Sequence, residues 1–366
     1  MLIRIPHSNP TISHREAKAV YDAILSGNLA QGSLVEKFEK KFSQFQKIKY
    51  SAATNSGTSA LHLALRALKI KKGDEVIMPS FVCTALLNAI YYVGAKPKVV
   101  DVDKDDFNIS VHDVKRNLTL KTKAMIIPHM FGQTADLSPL LKLDVPIIED
   151  CAHSIGAQYK GKPSGSFGVL SVYSFYATKM MTTGEGGMVA SNDSSLINQI
   201  KDWRDYDHKL SYEIRFNYKM TDLQAAMGIT QLSQLPLWIK KRKKIARCYQ
   251  HGLAKCDLIL PIVKPDRDHI FYRFIVKIKR NKSRFMSTLR EKGIACAAPI
   301  FCPIHRYLNL NGFPVTEGLI KEAVSIPIYP SLTDNHCKKI IKCIQLTFKE
   351  GDTGPFSPKP RLAYPA

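Results

Sequence analysis

The stretch 172–189 places one lysine between an aromatic run and a glycine-rich turn. Lys179 follows the aromatic residues 175–176 and precedes two methionines, 180–181. Apolar surroundings favour the neutral amine of a lysine, which is its nucleophilic form. Such an amine can form a Schiff base with a carbonyl compound, and we therefore predict that Lys179 is a covalent catalyst. A surface lysine on a loop is the alternative, since most lysines are exposed.

A second candidate, Asp150, ends the run 145–150, whose other residues include valine, proline and two isoleucines. An unpaired acid is costly to bury, so Asp150 needs a cationic or hydrogen-bonding partner. The nitrogen of a protonated pyridine ring would serve, because that pairing lets the ring act as an electron sink. A helix N-cap is the alternative for Asp150. His153 either contacts the same ligand or has a structural role.

A third candidate site opens the run 54–68. Asparagine, serine and threonine, which are helix-capping residue types, surround Gly57, and an alanine- and leucine-rich helix former follows. The free N–H groups and the positive dipole end of such a helix can bind a phosphate. An ordinary N-cap without a ligand is the alternative.

Short β-favouring runs alternate with helical patterns through the first two thirds of the chain. The runs lie at 75–80, 96–103, 124–129 and 145–150. This alternation is typical of a mostly parallel sheet between helical layers, an α/β fold. Ligands bind such sheets at the carboxyl ends of the strands, and Asp150 stands at one of those ends.

The remaining pattern predicts two domains and a tail. Amphipathic helices are expected at 13–26 and 34–45, and a helix that begins near Thr221 is expected to be interrupted by Pro236 before a basic helix at 238–253. Beyond it we expect a strand at 271–278 and helices at 282–292 and 340–348. The predicted division is a large domain over 1–236, a small α+β domain over 237–350 and a flexible tail over 351–366.

Composition excludes several classes of protein. The 366 residues carry a formal net charge of +22 and eight cysteines, none in a CxxC pair, which argues against a zinc site and a disulfide framework. No unbroken apolar run is long enough for a membrane span, and no secretory signal is seen, so a cytoplasmic location is expected. The positive charge suits phosphorylated metabolites, and no nucleic-acid-binding motif accompanies it.

Taken in order, these motifs resemble the DegT/StrS-type aminotransferases. The resemblance extends over nearly the whole chain and rests on segments 55–65, 73–77, 149–153, 174–187, 217–226, 303–305 and 325–330. It implies the type I aminotransferase fold, with a sheet of the seven-stranded type, and pyridoxal 5′-phosphate (PLP) as cofactor. It also implies amination of nucleotide-linked keto-sugars.

The resemblance assigns a role to each candidate residue. Lys179 would hold PLP covalently and later move a proton, and Asp150 would bond the ring nitrogen. His153 stands where the family usually has glutamine and would contact the ring hydroxyl. The remaining expected cofactor and substrate contacts are the Gly57 and Thr58 amides and the Ser174 hydroxyl at the phosphate, Asn217 reaching that phosphate from a partner subunit, and His305 at the substrate.

One position departs from the family pattern. Cys83 stands where many members place an aromatic ring on the cofactor, and Phe81, two residues earlier, is the candidate to compensate.

The reaction implied is transfer of nitrogen from L-glutamate to C3 or C4 of a nucleotide-linked keto-deoxysugar, for amino-sugar and surface-polysaccharide synthesis by a homodimer with shared sites. Two alternatives remain. A branch of the family that removes a sugar 3-hydroxyl has histidine at the position of Lys179. A non-catalytic regulatory or nucleic-acid-binding protein on this fold is suggested by the net charge.

Overall fold

A computed structural model describes residues 4–279 and 281–349. Its centre is a seven-stranded sheet in the order β1-β9-β8-β5-β4-β2-β3. β9 runs antiparallel to β1 and β8, and the other neighbouring strands are parallel. The strands of this sheet are β1 Tyr50–Thr54, β2 Glu75–Pro79, β3 Lys96–Val100, β4 Thr122–Pro128, β5 Ile147–Asp150, β8 Leu170–Ser174 and β9 Gly187–Ser191. The predicted α/β fold is confirmed.

The smaller strands pair outside this sheet. Two antiparallel pairs consist of β6 Gln158–Tyr159 with β7 Lys162–Pro163, and β10 Phe274–Lys277 with β11 Ala323–Ile326. The helices are α1 His14–Leu25, α2 Ser33–Gln46, α3 Gly57–Ala67, α4 Ala85–Tyr92, α5 Val111–Asn117, α6 Leu137–Leu141, α7 Ser194–Trp203, α8 Asp222–Gly252, α9 Lys282–Glu291, α10 Ile304–Tyr307, α11 Pro314–Glu322 and α12 Asp334–Lys349, with a 3-10 turn at Met130–Gly132.

Both faces of the central sheet are buried, as parallel strands require. On β4, Ile126 belongs to the core under one face, while Met125 and Ile127 belong to the core under the other. This alternation follows the two-residue period of a strand. The strand ends of β1, β5 and β8 meet at one edge, because Asp150 pairs with Val172 and both Thr54 and Ser174 pair with Gly187.

Helix α8 is continuous over 31 residues and contains Pro236 in its interior. The predicted interruption at Pro236 was therefore wrong. Proline removes one backbone N–H, but Leu235, just before it, and Trp238, two residues after it, are buried in one core, and that packing keeps the helix intact. The domain limit at 236/237 remains a prediction, and one helix crosses it.

A separate hydrophobic core lies in the C-terminal half. It joins the end of α8 to β10, β11, α9 and α12, and it includes Ile5 from the start of the chain. Ile5 forms a parallel bridge with Ile294. Residues at the N-terminus thus pack with the predicted small domain. The predicted tail, 351–366, lies outside the described residues.

Helix α1 forms where its pattern predicts, with Ser13 and Glu16 making a capping box. Tyr21, Ile24 and Leu25, however, expose half or more of their surface. The apolar face that predicted the helix is therefore not covered by the residues that the structure describes. Among the residues described, no helix is long and apolar enough to span a membrane.

Candidate active site

A cavity of about 450 Å³ opens at the carboxyl edge of the central sheet. Its walls come from the segment after β2, from β4 and β5, from the loop that carries Lys179, and from the segment before α10. The lining residues that bear chemistry are Cys83, His129, Asp150, His153, Lys179, Cys302 and Tyr307. The structure thus brings Lys179, Asp150 and His153 together, although 29 positions separate the first two in the sequence.

Asp150 is a buried carboxylate at the end of β5 with few donors around it. The Ala152 N–H donates to its Oδ1 at 3.0 Å. Burial raises the pKa of Asp150 above its ordinary value, and the Ala152 hydrogen bond and the Lys179 charge oppose that rise without cancelling it. A further cationic donor in the cavity would therefore stabilise the ionised form.

Glu149, the residue before Asp150, holds the end of β5 in place through hydrogen bonds. Its two oxygens accept N–H groups of Gly165, Phe167 and Gly168 at 2.6–2.7 Å, and Oε2 also lies 2.9 Å from His129 Nε2. Burial would raise the pKa of Glu149, but the His129 contact and the amide donors lower it instead.

His129 is oriented at both of its ring nitrogens. The Ala135 N–H donates to His129 Nδ1 at 3.1 Å, so His129 Nε2 carries the proton that it donates to Glu149. The backbone N–H of His129 donates to the Asp150 carbonyl at 3.0 Å. His129, Glu149 and Cys151 lie close enough to one another to hold a metal ion. The Glu149 oxygens, however, already accept four hydrogen bonds, which a metal ion would have to replace.

His153 stacks on two aromatic rings. Its ring stacks on Tyr272 at 4.3 Å and on Phe131 at 6.0 Å, with interplanar angles of 23° and 13°. Burial, and then the charges of Lys179 and Arg273, hold the pKa of His153 well below its ordinary value. The ring is therefore neutral near pH 7 and has one donor and one acceptor nitrogen.

A second cluster lies at the N-terminus of α3. Ser56 caps the helix by accepting the Ser59 N–H at 3.1 Å, which leaves the amides of Gly57 and Thr58 at the open end. A Cβ atom at Gly57 would lie 2.9 Å from Ser174 Cβ, so the Ser174 side chain reaches the helix end only because residue 57 is glycine. Two amides and a hydroxyl suit a phosphate.

We expect Gly57→Ala to weaken PLP binding about tenfold or more. The added methyl group must displace Ser174 or the helix end, and overpacking of this kind costs about 1–3 kcal/mol. Titration of the PLP-free protein with PLP, followed by absorbance, measures the effect.

Gly318→Ala is the matched control, because Gly318 lies inside helix α11 and a methyl group added there would have nothing within 4 Å of it. Alanine there should leave PLP affinity unchanged and raise helix stability slightly. Equal PLP affinity in both variants would contradict the phosphate site.

Two expected residues, Phe81 and His305, have surroundings that the sequence did not predict. Phe81 is fully buried, 5.4 Å from the Phe107 ring, so it cannot take the place of an aromatic ring at Cys83, which itself lines the cavity. His305 is also buried: its Nδ1 lies 2.6 Å from Ser80 Oγ and its Nε2 2.9 Å from Glu317 Oε1.

Both ring nitrogens of His305 thus have partners within the chain, and its role at the substrate stays a prediction. Its contacts hold the segment that lines the cavity, because the Ile304 N–H also donates to the Ser80 carbonyl at 2.9 Å. Asn217 is exposed, and its carbonyl accepts from Asn55 Nδ2 at 3.1 Å. Its contact with a partner subunit's phosphate stays a prediction.

Sequence patterns missed the residues that the second half of the chain brings to the site. Tyr272 stacks on His153, and Phe301, Cys302 and Tyr307 close one side of the cavity. No local motif marks them, since their role depends on the fold bringing two distant segments together.

The residues present fit PLP. A lysine amine, an under-bonded buried carboxylate and a neutral imidazole line one cavity, and an anion site built from Gly57 and Ser174 lies at the same sheet edge. The fold and this set of groups define a PLP-dependent enzyme of the aminotransferase type.

Comparison with known proteins narrows the class to a family. The profile of the DegT/DnrJ/EryC1/StrS aminotransferase family matches residues 10–345, and the chain belongs to that family. It is 33% identical to the GDP-perosamine synthase of Vibrio cholerae over 367 residues, which cover 94% of this chain and 99% of that protein.

Solved structures of similar proteins support the same family assignment. DesV of S. venezuelae, at 29% identity, superposes with a TM-score of 0.89 over 93% of this chain and 95% of its own. The PLP form of the putative sugar aminotransferase Spr1654 from Streptococcus pneumoniae, at 26% identity, gives a TM-score of 0.89 over 94% and 99%. The chain is a PLP-dependent sugar aminotransferase, and the alternative of a non-catalytic protein on this fold is wrong.

Proposed function

We propose that this enzyme transfers an amino group from L-glutamate to C3 or C4 of a nucleotide-linked keto-deoxysugar. The product would be an amino sugar for surface-polysaccharide synthesis, made in the cytoplasm. One observation carries the proposal: Lys179, Asp150 and the neutral His153, which stacks on two aromatic rings, line the same cavity.

Each side chain has a separate task. Bound PLP supplies an electron sink for carbanionic charge. Lys179 tethers the cofactor and then moves a proton, because it is the lysine whose side chain lines the cavity. Asp150 keeps the ring nitrogen protonated, and His153 offers a hydrogen bond to the ring hydroxyl. The Gly57 and Thr58 amides and the Ser174 hydroxyl hold the phosphate.

The surface suits a substrate with a diphosphate. A formal net charge of +22 raises the local concentration of anions around the protein. The mouth of the cavity also presents an almost fully exposed aromatic ring, Phe301. An exposed ring at this position can pack against the sugar or the base of an incoming nucleotide-sugar.

We further propose a homodimer with shared sites, to which Asn217 contributes across the interface. Exposed apolar side chains support it, on α1 and on the segment between α7 and α8, where Leu210 and Tyr212 are almost entirely exposed. Patches of this kind mark protein interfaces. Light scattering on the purified protein measures the oligomeric state, and a monomer at micromolar concentration would contradict this part.

A substrate panel tests the reaction. The protein with PLP and L-glutamate is given 3- and 4-keto-deoxysugars linked to GDP, UDP and dTDP, with the GDP-linked sugars first because three relatives are GDP-perosamine synthases. Mass spectrometry should find one amino sugar and an equal amount of 2-oxoglutarate. Loss of a hydroxyl without gain of nitrogen would indicate the 3-deoxygenating branch instead, and no product from any sugar would contradict the proposal.

A further inference from the structure

Tyr272 lies in the C-terminal half of the chain, at the start of the segment that leads into β10. We propose that Tyr272 is a positioning residue of the active site, which fixes the plane of the His153 ring and presents an aromatic face to the Lys179 amine. The inference rests on the proposed cofactor-binding roles of His153 and Lys179. It does not depend on which sugar is aminated.

The first step is the stack itself. The His153 ring stacks on two aromatic rings, Tyr272 at 4.3 Å and Phe131 at 6.0 Å between centroids, with interplanar angles of 23° and 13°. Rotation of the imidazole about its side-chain bonds would break both contacts. The direction in which its ring nitrogens point is thus set by its two neighbours.

The second step is that backbone hydrogen bonds join the segment that carries Phe131 to the segment that carries Tyr272. The Arg273 N–H donates to the Phe131 carbonyl at 3.3 Å, and the Ile270 N–H donates to the Gly132 carbonyl at 2.9 Å. Gly132 has φ +101°, and a Cβ atom there would lie 2.8 Å from the Tyr272 nitrogen. Only glycine permits this approach of the two segments.

The third step concerns charge. Lys179 Nζ lies 5.5 Å from the centroid of the Tyr272 ring, within cation–π range, and the Arg273 guanidinium lies at 5.0 Å. The Tyr272 hydroxyl is 3.5 Å from both Thr178 Oγ1 and Arg273 Nη2. Burial would raise the pKa of Tyr272, but Lys179 and Arg273 lower it to about 8.

The charged groups that face Tyr272 come from three elements. Lys179 approaches from the loop after β8, and Arg273 is its chain neighbour. Arg242 of α8 donates to the Tyr272 carbonyl at 3.2 Å. His153, on the fourth side, is neutral. Three cationic side chains, Lys179, Arg273 and Arg242, thus lie beside Tyr272.

The experiment separates the ring from the hydroxyl. PLP affinity and the pH midpoint of the visible absorbance band of bound PLP are measured for Tyr272→Phe and Tyr272→Leu. The leucine variant should bind PLP about tenfold more weakly, the size of effect seen when residues that orient metal ligands are lost. Its midpoint should fall by about half a pH unit, because the cation–π contact is lost. Tyr272→Phe keeps the aromatic ring and should retain most of the PLP affinity and a pH midpoint close to that of the wild type.

Phe274→Leu is the matched control, since Phe274 lies buried in β10 against Tyr249 and does not line the cavity. It should lower the melting temperature and leave the midpoint unchanged. An unchanged midpoint in Tyr272→Leu, or a phenylalanine variant as defective as leucine, would overturn the inference. If the leucine variant does not fold, Tyr272→Met takes its place and is judged by the same two measurements. Covalent PLP retained in Lys179→Arg would instead overturn the proposed role of Lys179.

Discussion

Replacing Lys179 with arginine is expected to abolish turnover, with a loss of at least about 10³-fold. Arginine keeps the positive charge but remains protonated at any working pH, so it can neither tether PLP nor move a proton. Borohydride reduction of the wild-type enzyme should fix PLP to the peptide that contains residue 179. The same treatment of Lys179→Arg should leave the protein unlabelled, as mass spectrometry will show.

Lys162→Arg provides the control, because Lys162 is an exposed residue of β7 that does not line the cavity. It should keep wild-type activity and labelling. If Lys179→Arg retained labelling at another lysine together with turnover, the covalent role would have to move to that residue.

Asp150→Asn is expected to have opposite effects on stability and activity. Because the pKa of Asp150 is raised above 3.8 by burial, the folded protein binds more protons than the unfolded chain in the range just above that value. The free energy of unfolding of the PLP-free protein therefore falls as pH rises through this window, and the loss persists at pH 7. Asparagine carries no such cost. The PLP-free variant should melt above the PLP-free wild type at pH 7, and the difference should vanish below pH 3.8.

Activity should fall by about 10²-fold or more in the same variant, because an amide cannot hold the ring nitrogen protonated. PLP should also raise the melting temperature of the variant less than that of the wild type. Asp106→Asn is the comparison: Asp106 is buried with a raised pKa as well, but it pairs with Arg267 at 2.9 Å outside the cavity. That variant should keep the activity of the wild type. An Asp150→Asn enzyme with wild-type turnover would remove Asp150 from the mechanism.

Local patterns predicted the parts of the site that lie at the ends of regular elements. Asp150 follows an apolar run, Gly57 begins a helix, and Lys179 lies between a strand and a glycine turn. Each of these positions can be read from neighbouring residues alone. Parallel strand order then brings them to one edge, so the fold class and the position of the site were both predictable.

Contacts between distant segments were not predictable in this way. His305 was expected at the substrate, yet its nitrogens bond Ser80 and Glu317, which lie 225 and 12 positions away. Arg242 belongs to a basic run that suggests a solvated surface, but it is buried and donates to the carbonyls of Phe271, Tyr272 and Ile328. Composition cannot distinguish a solvated cation from one that satisfies buried carbonyls.

The unbroken course of α8 limits how this enzyme can be taken apart. Trp238, beyond the predicted domain limit, shares a core with Phe175 and Met180, which lie on either side of Lys179 in sequence. Four residues further along α8, Arg242 donates a hydrogen bond to the backbone carbonyl of Tyr272. Truncation at residue 236 would remove the packing around Lys179 and the hydrogen bond to Tyr272, so we expect the two halves to be inactive when they are produced separately.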